Sequence, residues 1–240
     1  MKLSVIVPVY NEAKGVAESL GALQPLRQAG HEVIVVDGGS EDRTPEIAAP
    51  LADRVEVARR GRSRQMNEGA RRANGEVLLF LHADTLLPDG ADRVIQEAIS
   101  RSGKPWGRFD LRLSGDHPVL RIIERLINWR SRLSGIATGD QAIFVKREVF
   151  ESIGGYPEID LMEDIALSKR LKKWSRPICL RTKVITSSRR WEEKGYLRTV
   201  LLMWSLRLAY FLGVDPDRLV RFYYPDLRGS SWSDAKPSAR

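Results

Sequence analysis

The sequence predicts an α/β fold, a mixed sheet flanked by helices, and three observations carry the prediction. Short runs rich in Val, Ile and Leu recur in the first hundred residues, at Ser4–Val9, Glu32–Val36 and Val77–Leu81. Stretches of helical length and period separate them. Each run ends in a polar cluster: Tyr10-Asn11-Glu12, Asp37-Gly38-Gly39-Ser40 and His82-Ala83-Asp84-Thr85. Apolar runs without alternation suit strands buried on both faces of a parallel sheet. Strand–helix–strand order then gives a doubly wound arrangement.

Pro8 has no N–H for a ladder and should lie at the end of the first strand. A helix is expected over about Ala13–Ala29, with Val16, Leu20 and Leu23 on one stripe. A second is expected over about Arg62–Asn74, with Gly75 as its C-terminal stop. Thr44-Pro45 and Leu87-Pro88 read as helix starts with proline in the first turn. Beyond residue 105, Phe109, Leu111 and Leu113 alternate with Asp110 and Arg112 as in a half-buried strand. Pro118–Leu133 reads as a basic amphipathic helix, Ala142–Lys146 as a strand, Asp164–Lys173 as a helix and Ile178–Ile185 as a strand. A last helix covers about Tyr196–Leu212, and the Ser-rich segment Gly229–Arg240 has the composition of a disordered tail. The division this implies is a parallel half (1–105) and a mixed half (106–192), followed by an apolar, basic helical region (193–228).

The 240 residues carry a formal net charge of +8, with 42% hydrophobic and 29% charged residues, as in a globular chain with anionic partners. The single cysteine, Cys179, excludes an intrachain disulfide and any Cys-based zinc cluster, and fits a cytoplasmic setting. The N-terminus lacks the pattern of a signal peptide, and no run of about 20 uncharged apolar residues reads as a membrane span. Basic residues are spread along several helices without a helix-turn-helix or zinc-finger pattern, so no nucleic-acid partner is expected. A nucleotidyltransferase of similar sheet type would open on a Gly-rich, basic phosphate loop, and VPVYNEAKG matches that poorly. No GxGxxG follows the first strand, which disfavours a dinucleotide oxidoreductase.

In parallel sheets ligands bind beyond the carboxyl ends of the strands, so the three polar clusters should border one crevice. Each could instead cap the helix that follows. With Ser4–Glu12, VIVVDGGSEDRT at Val33–Thr44, LFLHADT at Leu79–Thr85, Gly154-Gly155-Tyr156 and Met162-Glu163-Asp164 in order, the chain resembles the family 2 glycosyltransferases of the GT-A fold. The likeness covers roughly Lys2–Trp191. Within that family GRSRQMN, HADT, GDQ and SSRRW are similar to a bacterial group labelled arsenosugar-biosynthesis-type glycosyltransferases.

The resemblance implies inverting transfer of a sugar from a nucleoside-diphosphate sugar, with UDP-sugars favoured, to an acceptor hydroxyl. It assigns Pro8, Tyr10, Glu12, Asp37 and Gly39 to nucleotide binding, and places Ala83 and Asp84 in the family's DxD position. His82 stands where the first aspartate of that motif belongs. Asp84, with His82 as a second candidate ligand, would hold Mg²⁺ or Mn²⁺, cations that take one or two carboxylates plus phosphate oxygens. Asp164 is implied as the base and Glu163 as a group orienting the acceptor; taken alone, the pair equally suits the first turn of a helix. Arg62 and Arg64 are the best candidates for diphosphate contacts through bidentate guanidinium bonds. Arg190-Trp191 sits where related enzymes line the donor–acceptor site, without the full QxxRW of processive synthases. The last helix is expected to pack on the core, with a homodimer face or a membrane interface as alternatives. Together with Pro118–Leu133 it raises a lipid or small-molecule acceptor and peripheral contact with the inner face of the membrane.

Overall fold

The structure, a computed structural model, describes residues 1–223, apart from the side chains of Arg190, Asp217 and Arg221. The segment 229–240 read above as a tail lies outside the described residues. Strand β1 (Leu3–Val9) leads to helices α1 (Val16–Gly21) and α2 (Gln24–Gln28), then β2 (Glu32–Asp37) and α3 (Thr44–Ala48). After these come β3 (Arg54–Val57), α4 (Arg62–Arg72), β4 (Val77–Phe80), the two-residue β5 (Thr85–Leu86) and α5 (Ala91–Ser102). The second half contains β6 (Trp106–Leu113), α6 (Pro118–Ser134), β7 (Ile143–Lys146), α7 (Arg147–Ser152), α8 (Glu163–Leu171) and β8 (Ile178–Thr186). It closes with α9 (Arg189–Lys194), α10 (Tyr196–Phe211) and α11 (Pro216–Tyr223).

All eight strands form one sheet in the order β3-β2-β1-β4-β7-β6-β8-β5. The first four are mutually parallel; β7 runs antiparallel to β4, and β6 antiparallel to β7. Because successive side chains of a strand point to opposite faces, β1 supplies both cores. Leu3, Val5, Val7 and Val9 join α1, α5 and α6 in one cluster, and Ile6 joins α4, α7 and α8 in the other.

Several local expectations give way to packing. The single helix over Ala13–Ala29 is two short ones, because Pro25 has no N–H for a continuing helix and instead occupies the first turn of α2. Leu87-Pro88 does not start a helix: α5 begins at Ala91, behind a left-handed Gly90. Gly75 is not the stop of α4, which ends at Arg72; a Cβ on Gly75 would lie 2.7 Å from the Ser4 nitrogen, so close strand approach sets that glycine. The edge strand β3, whose Arg54 and Glu56 hide its pattern, and helices α7 and α11 left no clear periodic signal. Helix α10 packs only in part: Thr199 and Leu206 are buried, while Leu197, Leu201, Trp204 and Leu208 are exposed.

The junction of β6 and α6 is polar. Beyond Gly107, β6 has left β7, and its backbone register against β8 shifts at Phe109/Asp110. Side chains of α6 then replace the missing strand. Asn128 accepts from the Leu111 N–H at 2.9 Å and donates to the Leu111 carbonyl at 3.0 Å, and Glu124 accepts from the Leu113 N–H at 2.6 Å. The Arg108 side chain, fully buried, pairs with Asp110, which also holds Arg132 at 2.7 Å. Asn128→Leu leaves a buried N–H and a buried carbonyl without partners, and should destabilise the protein by about 2 to 4 kcal/mol. Urea unfolding at an unchanged m value measures this.

Candidate active site

The parallel strands β1, β2 and β4 end at one edge of the sheet, where α1 and α4 lie on opposite faces and the loops diverge. Two of those loops are tied to each other before any ligand is considered. Asp37, only 2% exposed, accepts from the Gly39 N–H (2.9 Å), the Ser40 N–H (2.8 Å) and the Ser40 hydroxyl (2.5 Å). Ser40 in turn accepts from the Asn11 N–H, and Thr44 from the Glu12 N–H. Asn11 holds a left-handed conformation (φ 53°) that turns Glu12 toward the sheet edge.

The first turns of α4 fix the opposite wall. Gln65, buried, donates to the carbonyls of Val9 (2.9 Å) and Val36 (2.8 Å) and packs against Gly38 at a distance that a Cβ there would crowd. Asn67 exchanges two bonds with the Tyr156 backbone, each 2.9 Å. Ser63 donates to the Ile159 carbonyl, and Arg64 pairs with Asp160 at 2.5 Å. The loop so anchored runs into α8, whose N-cap Met162 is left-handed (φ 66°). Asp164 then accepts from the Gly139 N–H (3.0 Å) and the Ile165 N–H (2.7 Å).

Between these walls lies a cleft of about 580 Å³. Its lining brings together Pro8, Tyr10, Glu12, Arg62, His82, Ala83, Asp84, Glu163, Asp164 and Trp191 from the sequence-derived set. Asp37 and Gly39 are not among the lining residues; the Asp37 carboxylate is turned back into its own turn. Arg64 is likewise outside the lining and faces Asp160. The side chain of Arg190 lies outside the described residues. Asp140 of the GDQ segment and Arg189 of SSRRW also line the cleft, as do Gln65, Asp160 and Arg207, which sequence reasoning did not select.

The electrostatics are those of crowded carboxylates. Burial and the neighbouring Asp164 carboxylate push Glu163 up from the usual 4.5 to about 7. Burial and Asp84 raise Glu12, against the pull of Arg189 and Arg62. Burial, with Arg62 nearby, lowers His82 to about 4, so its imidazole is neutral at physiological pH. Its Nε2 is buried without a hydrogen-bond partner and packs on Gly139, where a Cβ would sit within 2.4 Å of it. The Arg60 guanidinium lies 3.8 Å over the Tyr10 ring. For a divalent cation the fit is an open one. Asp84 is exposed on the cleft, and among the described residues no group of three or more His, Cys, Asp or Glu side chains forms a cage. One carboxylate completed by substrate phosphates is the arrangement Mg²⁺ and Mn²⁺ favour.

Sheet order and cleft position define a nucleotide-diphosphosugar-transferase architecture of the GT-A type. The chain belongs to glycosyl transferase family 2, whose model matches residues 4–154. It is 37% identical over 91 residues to glycosyltransferase AglE of Haloferax volcanii (34% of this chain, 30% of that protein). It is 24% identical over 186 residues to poly-β-1,6-N-acetyl-D-glucosamine synthase of Staphylococcus epidermidis (70% and 45%). The chain thus spans less than half the length of these relatives. Among solved structures it resembles the mannosyltransferase PcManGT of Pyrobaculum calidifontis in complex with GDP-Man and Mn²⁺ (TM-score 0.63, 23% identity, 96% of this chain and 65% of that one). It also resembles S. aureus TarS 1-349 in complex with UDP-GlcNAc (TM-score 0.60, 20% identity, 78% and 58%).

Because the Glu163 carboxyl is held above its unfolded value, its contribution to stability is complete below about pH 4.5. It is lost as pH rises toward about 7, after which the loss is constant. Glu163→Gln, always neutral, should match the wild type near pH 4 and exceed it above pH 7 by at most about 3 kcal/mol. Denaturant unfolding at a series of pH values checks the sign and the window.

Proposed function

We propose that the cleft binds a nucleoside-diphosphate sugar and transfers the sugar, with inversion, to an acceptor hydroxyl. The observation that carries this reading is one of placement. Asp84 beyond the end of β4 and the Glu163–Asp164 pair at the start of α8 line the same cleft, together with Arg62 and Arg189. Tyr10 and the neighbouring Pro8 and Val9, all lining the cleft, would meet the nucleoside. In this reading Asp37 acts by holding the turn beside that strand end.

Charge balance supports a divalent cation. The lining holds seven carboxylates (Glu12, Asp84, Asp140, Asp160, Glu163, Asp164, Glu193) against five cationic side chains (Arg60, Arg62, Arg189, Lys194, Arg207). A diphosphate entering that field adds negative charge to an existing excess. Asp84 would hold the cation, with His82 able to join only if its ring turned away from Gly139. The cation, when bound, neutralises charge growing on the leaving diphosphate.

The chain's own part is proton removal and positioning. Asp164, oriented by two backbone N–H bonds, takes the proton of the acceptor hydroxyl as that oxygen attacks the anomeric carbon and the diphosphate departs. Glu163 beside it accepts a hydrogen bond from the acceptor. Direct displacement on one face gives inversion, with no enzyme nucleophile required.

A thermal-shift panel of UDP-, GDP- and dTDP-sugars, with and without Mn²⁺, tests donor binding; ligand at 100 times Kd should add about 2.7 kcal/mol to stability. Asp84→Ala should abolish the metal-dependent part of the shift. Asp164→Asn should keep donor binding within about twofold and lower transfer by about 10² or more. Equal loss of binding and transfer in that variant would overturn the base assignment.

A further inference from the structure

Helix α6 carries apolar residues on two sides. Its inward side buries Leu120 and Ile123 together with Glu124, Asn128 and Ser131, and Glu124 and Asn128 bond the β6 backbone. Its outward side carries Ile122, Leu126, Trp129 and Leu133, three and four residues apart and 55 to 63% exposed. Helix α10 repeats the spacing with Leu197, Leu201, Trp204, Leu208 and Phe211, 59 to 78% exposed. Unpartnered apolar ridges of this extent mark an interaction surface.

The two ridges are neighbours. The ring of His117, just before α6, stacks on that of Tyr196, which opens α10, with centroids 4.8 Å apart. About three turns further along both helices, Arg130 and Arg207 are close enough that the second depresses the first, adding to burial. The helices also share a core cluster, Leu120 and Ile123 of α6 with Tyr196 and Val200 of α10. Their charge is of one sign, and its exposed part is Arg125 on α6 and Arg198 on α10; Arg121 and Arg132 are bonded to Glu124 and Asp110, and Arg207 lines the cleft. The one acidic residue of the pair, Glu124, is buried and bonded to Arg121 at 3.0 Å.

We propose that the α6–α10 face docks on an anionic lipid surface, its apolar ridges entering the interface and its exposed arginines lying at the level of the lipid phosphates. A second copy fits less well. A twofold interface sets a patch against itself, bringing Arg125 and Arg198 of both copies together with no exposed carboxylate on either helix to offset them. No helix among the described residues is long and apolar enough to cross a membrane, so the contact is lateral. Tryptophan on each ridge suits that depth. Met203 and Arg207 of α10 also line the cleft. A hydroxyl carried at the lipid surface therefore approaches Asp164 from the docked side. The docking itself does not rest on the catalytic reading.

The test is co-sedimentation of the full chain with phosphatidylcholine vesicles lacking or containing about 30% phosphatidylglycerol. Binding is expected to the anionic vesicles alone and should weaken with added salt. The combined Trp129→Glu and Trp204→Glu variant should bind about tenfold more weakly or worse, with an unchanged unfolding midpoint, since both side chains are exposed. The proposal fails if the wild type does not sediment with anionic vesicles, or if the variant binds them undiminished. It fails equally if the wild type is a dimer that the variant dissociates while vesicles bind neither.

Discussion

The carbonyls of Val9 and Val36, at the ends of two adjacent parallel strands, are bridged by one side chain. Gln65 donates to both, and the cleft depends on that bond pair. The Val9 carbonyl also accepts from the Gly38 N–H at 2.9 Å, so the Gln65 amide adds a second bond there. By spanning two strand ends, that amide ties α4 to the sheet edge. The same helix holds Arg62 in the cleft, bonds the Tyr156 backbone through Asn67 and pairs Arg64 with Asp160. The loop before α8 is thus anchored to the helix that anchors β1 and β2. Asp164 and the strand ends become parts of one rigid frame even though they lie far apart in the sequence.

That frame explains what the sequence discloses and what it conceals. Strands β1, β2 and β4 are legible because burial on both faces demands an apolar residue at almost every position. Strand β3 is concealed for the opposite reason: at the sheet edge Arg54 and Glu56 are tolerated, and Arg54 approaches Glu32 at 3.9 Å. The helical periodicity over Ala13–Ala29 is genuine in its apolar stripe, since Val16, Leu20, Leu23 and Leu26 are all buried. Proline at 25 nevertheless divides the helix while leaving the stripe intact. Periodicity reports which face is inward; it does not report continuity.

The cleft shows the same asymmetry. Glu12, His82 and Asp84 follow strand ends, and strand ends of a parallel sheet converge by topology, so their assembly follows from the strand assignment. Asp37 has the same sequence credentials and a different fate. A short acidic side chain followed by two glycines and a serine can turn outward to a ligand or inward to its own backbone, and only packing decides. Here the three bonds inside the turn decide it. Arg207 is illegible for another reason: it enters the cleft from α10, a helix that follows the last strand.

The net charge of +8 belongs to the same account. Anionic substrates would explain it if the cationic side chains gathered in the cleft, but the lining there is acidic in balance. Helices α6 and α10 carry arginines and a single acid, the buried Glu124, and among those arginines Arg125 and Arg198 are exposed. Helix α6 is obliged to present a polar inner face, because β6 has lost its strand partner and its backbone must be satisfied by Asn128 and Glu124. Leu120 and Ile123 share that inner face, and Ile122, Leu126, Trp129 and Leu133 are left outward. A constraint on backbone hydrogen bonding at one sheet edge thus places an apolar, cationic surface next to the acceptor end of the cleft.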